Sequence, residues 1–182
     1  KTFFGEGFLG EHTGPAIASV IDECSLSIHN LYTSALSFVN LPHRLEFIRK
    51  NRGISFINDS KSTNLTSMIA AVESCNQPIR LLVGGQLKEN NINFIKEKLA
   101  QCKITLYAFG ESALLFKDCC DDLISCRVSN SLNDAFEYVC EDMIPGDTVL
   151  LSPGCASFDQ FKNYEERGEL FKSLVNNLCI SS

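Results

Sequence analysis

The sequence predicts an α/β fold with a doubly wound, mostly parallel sheet and helices on both faces. Two observations support this prediction. Short apolar runs of strand length alternate along the chain with segments in which apolar residues recur at helical spacing. Polar or glycine residues follow the apolar runs, as expected where strands end in turns. Strands that alternate with helices require crossover connections, and such connections give parallel strands.

The first 40 residues predict a loop followed by helical segments. Pro15 suits the first position of a helix, and apolar residues follow it at helical spacing over 16–21. A second apolar segment covers 31–39 and precedes Asn40-Leu41-Pro42, where the proline disfavours continuation of a helix. We therefore place a domain boundary here, with 1–40 as the tail of one domain and 41–182 as a second domain.

The second domain predicts strands at 54–57, 80–83, 105–109, 126–128 and 148–151. Helices are predicted between and after these strands, on the following apolar sets: Leu65, Met68, Ile69 and Val72; Phe94, Ile95 and Leu99; Leu114 and Leu115, with Leu123; Leu132, Ala135, Phe136 and Val139; Phe171, Leu174, Val175 and Leu178. The alternation is typical of a Rossmann-like sheet, in which ligands bind beyond the carboxyl ends of the strands.

The composition excludes several classes of function. The net charge is −6, from 16 basic and 22 acidic residues, and no basic stretch stands out, so we expect no nucleic-acid partner. No apolar run approaches the roughly 18 residues that a membrane span needs, so we expect no membrane partner. The nine cysteines are scattered without a Cys-x-x-Cys pair, and the three histidines stand at no zinc-ligand spacing. We therefore expect reduced thiols in a cytoplasmic protein and no structural metal.

Three strand ends carry polar or glycine clusters that suit anion binding. Residues 58–64 join a strand to a helix, whose free N–H groups attract anions, and Lys61 adds a positive charge. The simpler alternative is N-capping by one of the polar residues Asp59, Ser60 and Ser62. At 84–88, two glycines allow close approach of a ligand and Lys88 can reach a carboxylate or phosphate; a turn with a solvated lysine is the alternative.

The third cluster, at 151–161, is small and polar and then aromatic, so its serines and backbone N–H groups can hold a carboxylate. Ser157 is not expected to be a nucleophile, because it lies in no Gly-x-Ser-x-Gly turn and no histidine follows it. Arg44 suits phosphate, with a surface ion pair as the alternative. For Arg167 we expect ion pairing on a helix surface. The chain has neither a P-loop nor a Gly-x-Gly-x-x-Gly motif, so the residues alone indicate an anion-binding domain and no more.

Four segments together resemble the Mur ligase family. They are Leu-Pro-His-Arg-Leu-Glu at 41–46, Asn-Asp-Ser-Lys-Ser-Thr-Asn at 58–64, Leu-Ser-Pro-Gly-Cys-Ala-Ser-Phe-Asp-Gln-Phe at 151–161 and Asn-Tyr-Glu-Glu-Arg-Gly at 163–168, with Gly84-Gly85 and Lys88 between them. The second and third segments are most similar to the D-glutamate-adding (MurD-type) ligases. The resemblance covers residues 41 to about 178.

This resemblance implies a three-domain, ATP-dependent ligase of peptidoglycan synthesis. Such enzymes phosphorylate the carboxylate of UDP-N-acetylmuramoyl-L-alanine with ATP and Mg²⁺, and D-glutamate then attacks the acyl phosphate to form an amide. Residues 1–40 resemble the tail of the central ATPase domain, although Thr13 and Ala16 stand where the family places asparagines near the adenine. Residues 41–182 resemble the C-terminal, D-glutamate-binding domain, so we expect this chain alone to be inactive.

The motif match also implies roles for individual residues. The residues implied to hold D-glutamate are Thr63, Lys88, Ser157 and Phe158, with Tyr164 as an aromatic wall. Those implied at the nucleotide are Arg44 and Asp59, and Lys61 is placed as a catalytic residue near the reacting phosphate. Two alternatives remain open: a non-catalytic anion-binding module, or a Mur-type ligase for another amino acid.

Overall fold

The architecture is one six-stranded sheet covered by helices on both faces. It is seen in a computed structural model that describes residues 41–88 and 92–178. The described residues belong to a compact unit that begins at Leu41. The predictions made for residues 1–40, including those for Thr13 and Ala16, lie outside the described residues.

The strands are β1 (Glu46–Asn51), β2 (Ile54–Asn58), β3 (Ile79–Gly84), β4 (Ile104–Phe109), β5 (Cys126–Ser129) and β6 (Thr148–Leu151). The helices are α1 (Leu65–Ser74), α2 (Phe94–Ala100), α3 (Ala113–Cys120), α4 (Leu132–Asp142) and α5 (Tyr164–Asn176). The strand order is β1-β2-β6-β3-β4-β5, and every neighbouring pair is parallel except β1 with β2. The predicted fold class is confirmed.

The core lies on both faces of the central strands, where β3 and β6 bury nearly all their residues. Helices α4 and α5 cover one face, with Phe136 and Phe171 packed edge to face at 5.7 Å. The residues that alternate with this set along the strands, such as Leu81 and Leu150, point to the other face. Helix α3 packs there against β3, β4 and β5, and α1 packs against α2. Burial on both faces explains why these strands are continuous apolar runs in the sequence.

Two details differ from the sequence prediction. Strand β1 was not predicted, because its sequence Glu-Phe-Ile-Arg-Lys-Asn is mostly polar; it is a half-exposed edge strand, paired with β2 through a turn with positive φ at Arg52 and Gly53. The apolar face assigned to α3 was wrong. Leu114 and Leu115 are 65% and 51% exposed, and the helix instead buries Ala113, Phe116, Cys119 and Cys120. Cysteines acting as small apolar residues set the phase of this helix.

No helix within the described ranges is long and apolar enough to cross a membrane.

Candidate functional site

The carboxyl ends of β2, β6 and β3 are neighbours at one edge of the sheet. Three loops leave this edge: the β2 loop (59–64), the β3 loop (85–88) and the β6 loop (152–163). The β2 and β3 loops lead toward α1 and α2, whereas the β6 loop leads to α5 on the opposite face. Connections that diverge to opposite faces leave a crevice between neighbouring strand ends, where ligands of such sheets bind.

The β2 loop is anchored by the carboxylate of Asp59, which is 4% exposed. Its oxygens accept hydrogen bonds from the Ser152 hydroxyl at 2.8 Å and from the backbone N–H of Leu45 at 3.1 Å. Burial raises the pKa of Asp59 above its usual value, against bonds from Ser62 and Ser152 that lower it. The alternative of simple capping by Asp59, Ser60 or Ser62 is wrong, because the side chain that caps α1 is Asn64, which accepts from Ser67 N at 2.8 Å.

Lys61 projects from the β2 loop into solvent, over the ring of Tyr164. Its Nζ lies 3.9 Å from the ring centroid, a cation–π contact. The Glu165 carboxyl is also close: a hydrogen bond with Tyr164 and the charge of Lys61 lower its pKa. The other edge of this cluster is the buried His43, whose ring contacts that of Tyr164 at 6.1 Å and whose carbonyl accepts from Lys61 N at 2.9 Å. Tyr164, the first residue of α5, therefore packs against both Lys61 and His43.

The β6 loop is bonded to the loops on both sides. Ala156 exchanges two backbone hydrogen bonds with Gln86 in the β3 loop, at 2.8 and 2.9 Å. Gly154 N donates to Ser62 O in the β2 loop at 3.0 Å. Gly85 packs closely on the β6 loop: its φ is +122°, and a side chain there would overlap the carbonyl oxygen of Ala156. The three loops therefore form one hydrogen-bonded surface.

The predicted binding residues lie on this surface with different degrees of exposure. Lys88 is exposed, Thr63 is partly exposed, Phe158 is 64% exposed and Ser157 is buried at 2%. Within residues 41–88 and 92–178, no ion pair engages Lys88, Lys61 or the exposed Arg44. Exposed cations beside backbone N–H groups and hydroxyls are groups that bind carboxylates and phosphates.

Arg167 lies where the sequence analysis did not place it. Instead of pairing on the surface of α5, it is fully buried beneath the three loops. Its Nε and Nη2 donate to the hydroxyl and carbonyl oxygens of Ser60, at 3.0 and 2.9 Å. Its Nη1 donates to the carbonyls of Cys155 at 3.1 Å and of Gly84 at 3.5 Å.

One signal in the sequence could have revealed this burial. Gly168 lies inside α5, where glycine is unfavourable by about 0.5–1 kcal/mol relative to alanine. The structure explains it, because a side chain at this position would overlap the ring of His43 and crowd Asn58. A glycine within a helix thus marks the face that packs closely on β2, and the neighbouring arginine shares that packing. The sequence analysis named Ser60 as a candidate cap and the serines of the β6 loop as carboxylate-binding groups. In the structure Ser60 accepts from Arg167, and Ser152 donates to the side chain of Asp59.

The described residues contain no group of three or more His, Cys, Asp or Glu side chains arranged to hold a metal ion. For a nucleotide, the exposed guanidinium of Arg44 has the chemistry that phosphate requires. Asp59 lies beside it, and both carboxylate oxygens already accept hydrogen bonds within the loop. The nucleotide contact predicted for Asp59 stays a prediction.

Comparison with known proteins gives close sequence relatives. One from Buchnera aphidicola is named UDP-N-acetylmuramoylalanine–D-glutamate ligase and is 44% identical over 144 residues, covering 78% of this chain and 32% of the relative. A protein of the same name from Cytophaga hutchinsonii is 40% identical over 153 residues, covering 84% of this chain and 34% of the relative. The chain thus spans about a third of the length of the curated relatives it matches.

Solved structures share the fold at lower sequence identity. The MurF ligase from Thermotoga maritima, in complex with ADP, superposes with a TM-score of 0.61 at 16% identity, covering 93% of this chain and 40% of that chain. A folylpolyglutamate synthase/dihydrofolate synthase from Yersinia pestis, with AMPPNP and a manganese ion, gives 0.62 at 16%, covering 91% and 39%. The family profile described as Mur ligase, glutamate ligase domain matches residues 43–155. This match, over more than half of its residues, shows that the chain belongs to the Mur ligase family and carries its glutamate ligase domain.

Proposed function

We propose that this chain is the amino-acid-binding domain of an ATP-dependent amide ligase that adds D-glutamate to UDP-N-acetylmuramoyl-L-alanine in peptidoglycan synthesis. The observation that carries the proposal is the hydrogen-bonded surface of the three loops at the crevice, which exposes Lys61 on the β2 loop and Lys88 on the β3 loop. The names of the curated relatives support D-glutamate as the amino acid. We place the reaction in the cytoplasm, in a longer protein that supplies the other domains.

D-Glutamate carries two carboxylates and one amine, so its site must neutralise negative charge and orient the amine. Lys88 is exposed at the β3 loop and pairs with one carboxylate of the amino acid. Thr63 and Ser157 lie on the two loops that flank the crevice and donate hydrogen bonds. Phe158 and Tyr164 bound the aliphatic part of the ligand. A charge-assisted hydrogen bond contributes roughly 1.5–3 kcal/mol, which is a weak affinity once the entropy of association is subtracted.

Lys61 is assigned to the reacting phosphate. Its ammonium is exposed and contacts the Tyr164 ring, and no carboxylate of the described residues lies within ion-pair distance of it, so it can reach an anion. A positive group fixed where negative charge develops stabilises the transition state of acyl transfer. Arg44 holds nucleotide phosphates, and Asp59 fixes the loop that carries Lys61 through its bonds to Ser152 and Leu45.

When bound, ATP supplies the phosphoryl group that activates the acceptor carboxylate, and Mg²⁺ offsets phosphate charge. The described residues offer the nucleotide one exposed guanidinium and contain no cluster of three or more metal-ligating side chains, so we assign most of the nucleotide and metal binding to the other domains of the longer protein. This division of tasks is why the 182-residue chain by itself is expected to be inactive.

The test measures ADP release by the full-length enzyme with UDP-N-acetylmuramoyl-L-alanine, ATP and one amino acid at a time. D-Glutamate should stimulate ADP release, and L-glutamate, L-lysine and meso-diaminopimelate should not. Lys88→Ala and Ser157→Ala should raise the KM for D-glutamate, whereas Lys98→Ala, on the exposed side of α2 away from the crevice, serves as the matched control. Wild-type kinetics in both site variants would remove the site assignment.

The same assay separates the two alternatives. Stimulation by L-lysine or meso-diaminopimelate alone would identify a Mur-type ligase for another amino acid. No stimulation by any amino acid would refute catalysis. NMR shifts of Thr63, Lys88 and Ser157 on titration with D-glutamate would then leave a non-catalytic binding module as the interpretation.

A further inference from the structure

The largest fully buried side chain of the described domain is Arg167, which no part of the proposed reaction uses. It emerges from the first turn of α5 and reaches the three loops of the crevice at once. Ser60 belongs to the β2 loop, Gly84 ends β3 directly before the β3 loop, and Cys155 belongs to the β6 loop. A single planar group therefore joins the bases of the loops that carry Lys61, Lys88 and Ser157.

The acceptors around Arg167 are unusual for a buried charge. Across residues 41–88 and 92–178, no carboxylate forms an ion pair with it; three backbone carbonyls and one hydroxyl accept its hydrogen bonds instead. Burial lowers the pKa of Arg167 to about 10, so the group keeps its proton at neutral pH. Removing a charge from water is unfavourable, and carbonyl dipoles offset this only when their directions match the donors.

The guanidinium of Arg167 is also linked through Ser60 to Tyr164, whose ring contacts Lys61. The Ser60 hydroxyl accepts from Arg167 Nε and donates to the carbonyl of Tyr164 at 2.8 Å. Tyr164 and Arg167 are three residues apart on α5 and so share one helix face. A shift of the guanidinium would displace the Ser60 backbone and the Tyr164 ring together.

We propose that Arg167 is a positioning residue for the amino-acid site: its buried guanidinium sets the spacing of the β2, β3 and β6 loops, and hence the distances among Lys61, Lys88 and Ser157. The inference rests on the proposed function, because that function assigns Lys88 and Ser157 to D-glutamate and Lys61 to the reacting phosphate beside it. Lysine cannot replace it, because an ammonium keeps the charge but lacks the rigid planar array of donors. The residue is fully buried and therefore acts through the loops that it joins.

The test compares steady-state kinetics of the full-length wild-type enzyme, Arg167→Lys, and Arg127→Lys as the matched control. Arg127 pairs with Glu141 and Asp142 at the far side of the sheet and should behave as wild type. For Arg167→Lys, the KM for D-glutamate should rise about tenfold or more while the KM for ATP stays within about twofold, because small displacements of binding groups have large effects. A mere loss of folded enzyme would lower kcat and leave both KM values unchanged.

An unchanged D-glutamate KM in a folded Arg167→Lys variant overturns the inference, as does an equal rise of both KM values. If Arg167→Lys does not fold, Ser60→Ala provides the second variant, because it removes only the hydroxyl between Arg167 and Tyr164. Its D-glutamate KM should rise by a smaller factor in the same direction, and no rise overturns the inference. Wild-type enzyme that releases no ADP with D-glutamate refutes the proposed function instead, so the two failures are distinguishable.

Discussion

Substituting Gly85 by alanine tests whether the β3 and β6 loops pack in close contact. Gly85 has φ +122°, and a side chain there would overlap the Ala156 carbonyl and lie 3.2 Å from Nη1 of Arg167. Gly146 provides a matched control, because it has φ +102° and a side chain would have nothing within 4 Å. Both substitutions introduce backbone strain of about 1–3 kcal/mol, and only Gly85→Ala adds a collision with another loop.

The size of the additional effect follows from the bonds that the collision breaks. To relieve the overlap, the β6 loop must move away and lose the two hydrogen bonds between Gln86 and Ala156, of 2.8 and 2.9 Å. At about 0.5–1.5 kcal/mol each, their loss lowers the free energy of unfolding by about 1–3 kcal/mol. Gly85→Ala should therefore be less stable than Gly146→Ala by this amount.

Urea denaturation of the 182-residue chain, followed by far-ultraviolet circular dichroism, measures the difference; the sequence has no tryptophan for fluorescence. With a urea slope of about 2 kcal/mol/M, the midpoint of Gly85→Ala should lie roughly 0.5–1.5 M below that of Gly146→Ala. Equal midpoints for the two variants would refute the close contact between the loops. Alanine is strained at positive φ in both variants, so the comparison isolates the contact with the β6 loop better than wild type would.

Three further predictions concern other anchors of the site. Ser152→Ala should lower the free energy of unfolding by about 1–3 kcal/mol, because it removes a buried hydrogen-bond donor to the side chain of Asp59. Glu46→Gln should lower it by about 1 kcal/mol at neutral pH. Burial raises the pKa of Glu46, but hydrogen bonds from His43 N and Lys172 lower it by more, so the pKa lies below its usual value. The stabilisation from Glu46 is therefore present above pH 4.5 and is lost as pH falls through the lowered pKa. Tyr164→Leu should reduce kcat of the full-length enzyme about three- to tenfold, because the cation–π contact is lost.

Each of these predictions has a simple control. Ser74→Ala changes an exposed serine on α1 and should leave stability within about 0.5 kcal/mol of wild type. For Glu46→Gln, urea denaturation of the variant and of wild type is measured from pH 3 to 7. A difference in free energy of unfolding that does not become smaller below pH 4.5 contradicts the expected pH dependence. Tyr164→Phe keeps the ring under Lys61, so a loss of kcat equal to that of Tyr164→Leu would exclude the cation–π explanation.

The central part of the fold was predictable because its signals are local. Strands β3 and β6 are buried on both faces and so form continuous apolar runs in the sequence, and the polar clusters at their ends mark the crevice. Strand β1 left no such signal, because a polar edge strand is stabilised by pairing with β2 rather than by its own pattern. Most of the binding residues implied by the family resemblance lie on the loops at the carboxyl ends of β2, β3 and β6, and their ligand contacts stay predictions.

Arg167 could not be predicted from periodicity, because its environment comes from distant parts of the chain. Its partners Ser60 and Gly84 precede it by 107 and 83 residues. An arginine on an amphipathic helix is ordinarily assigned to the solvent side, and only tertiary packing reverses that assignment. The buried face of α3 was also predicted wrongly. The pattern was read from Leu114 and Leu115, whereas the helix buries Cys119 and Cys120.

The position of β6 in the sheet has a consequence for biosynthesis. Residues 148–151 pair with Ser55–Asn58 on one side and Ile79–Leu82 on the other, so β6 lies between β2 and β3 and those two strands do not pair with each other. A nascent chain that has emerged from the ribosome only as far as residue 147 holds two inner strands with unpaired backbone groups, a template for intermolecular association. Loop closure over such long separations slows folding. The crevice is therefore completed late in synthesis, when β6 fills the space between β2 and β3 and its loop bonds to the two loops made earlier.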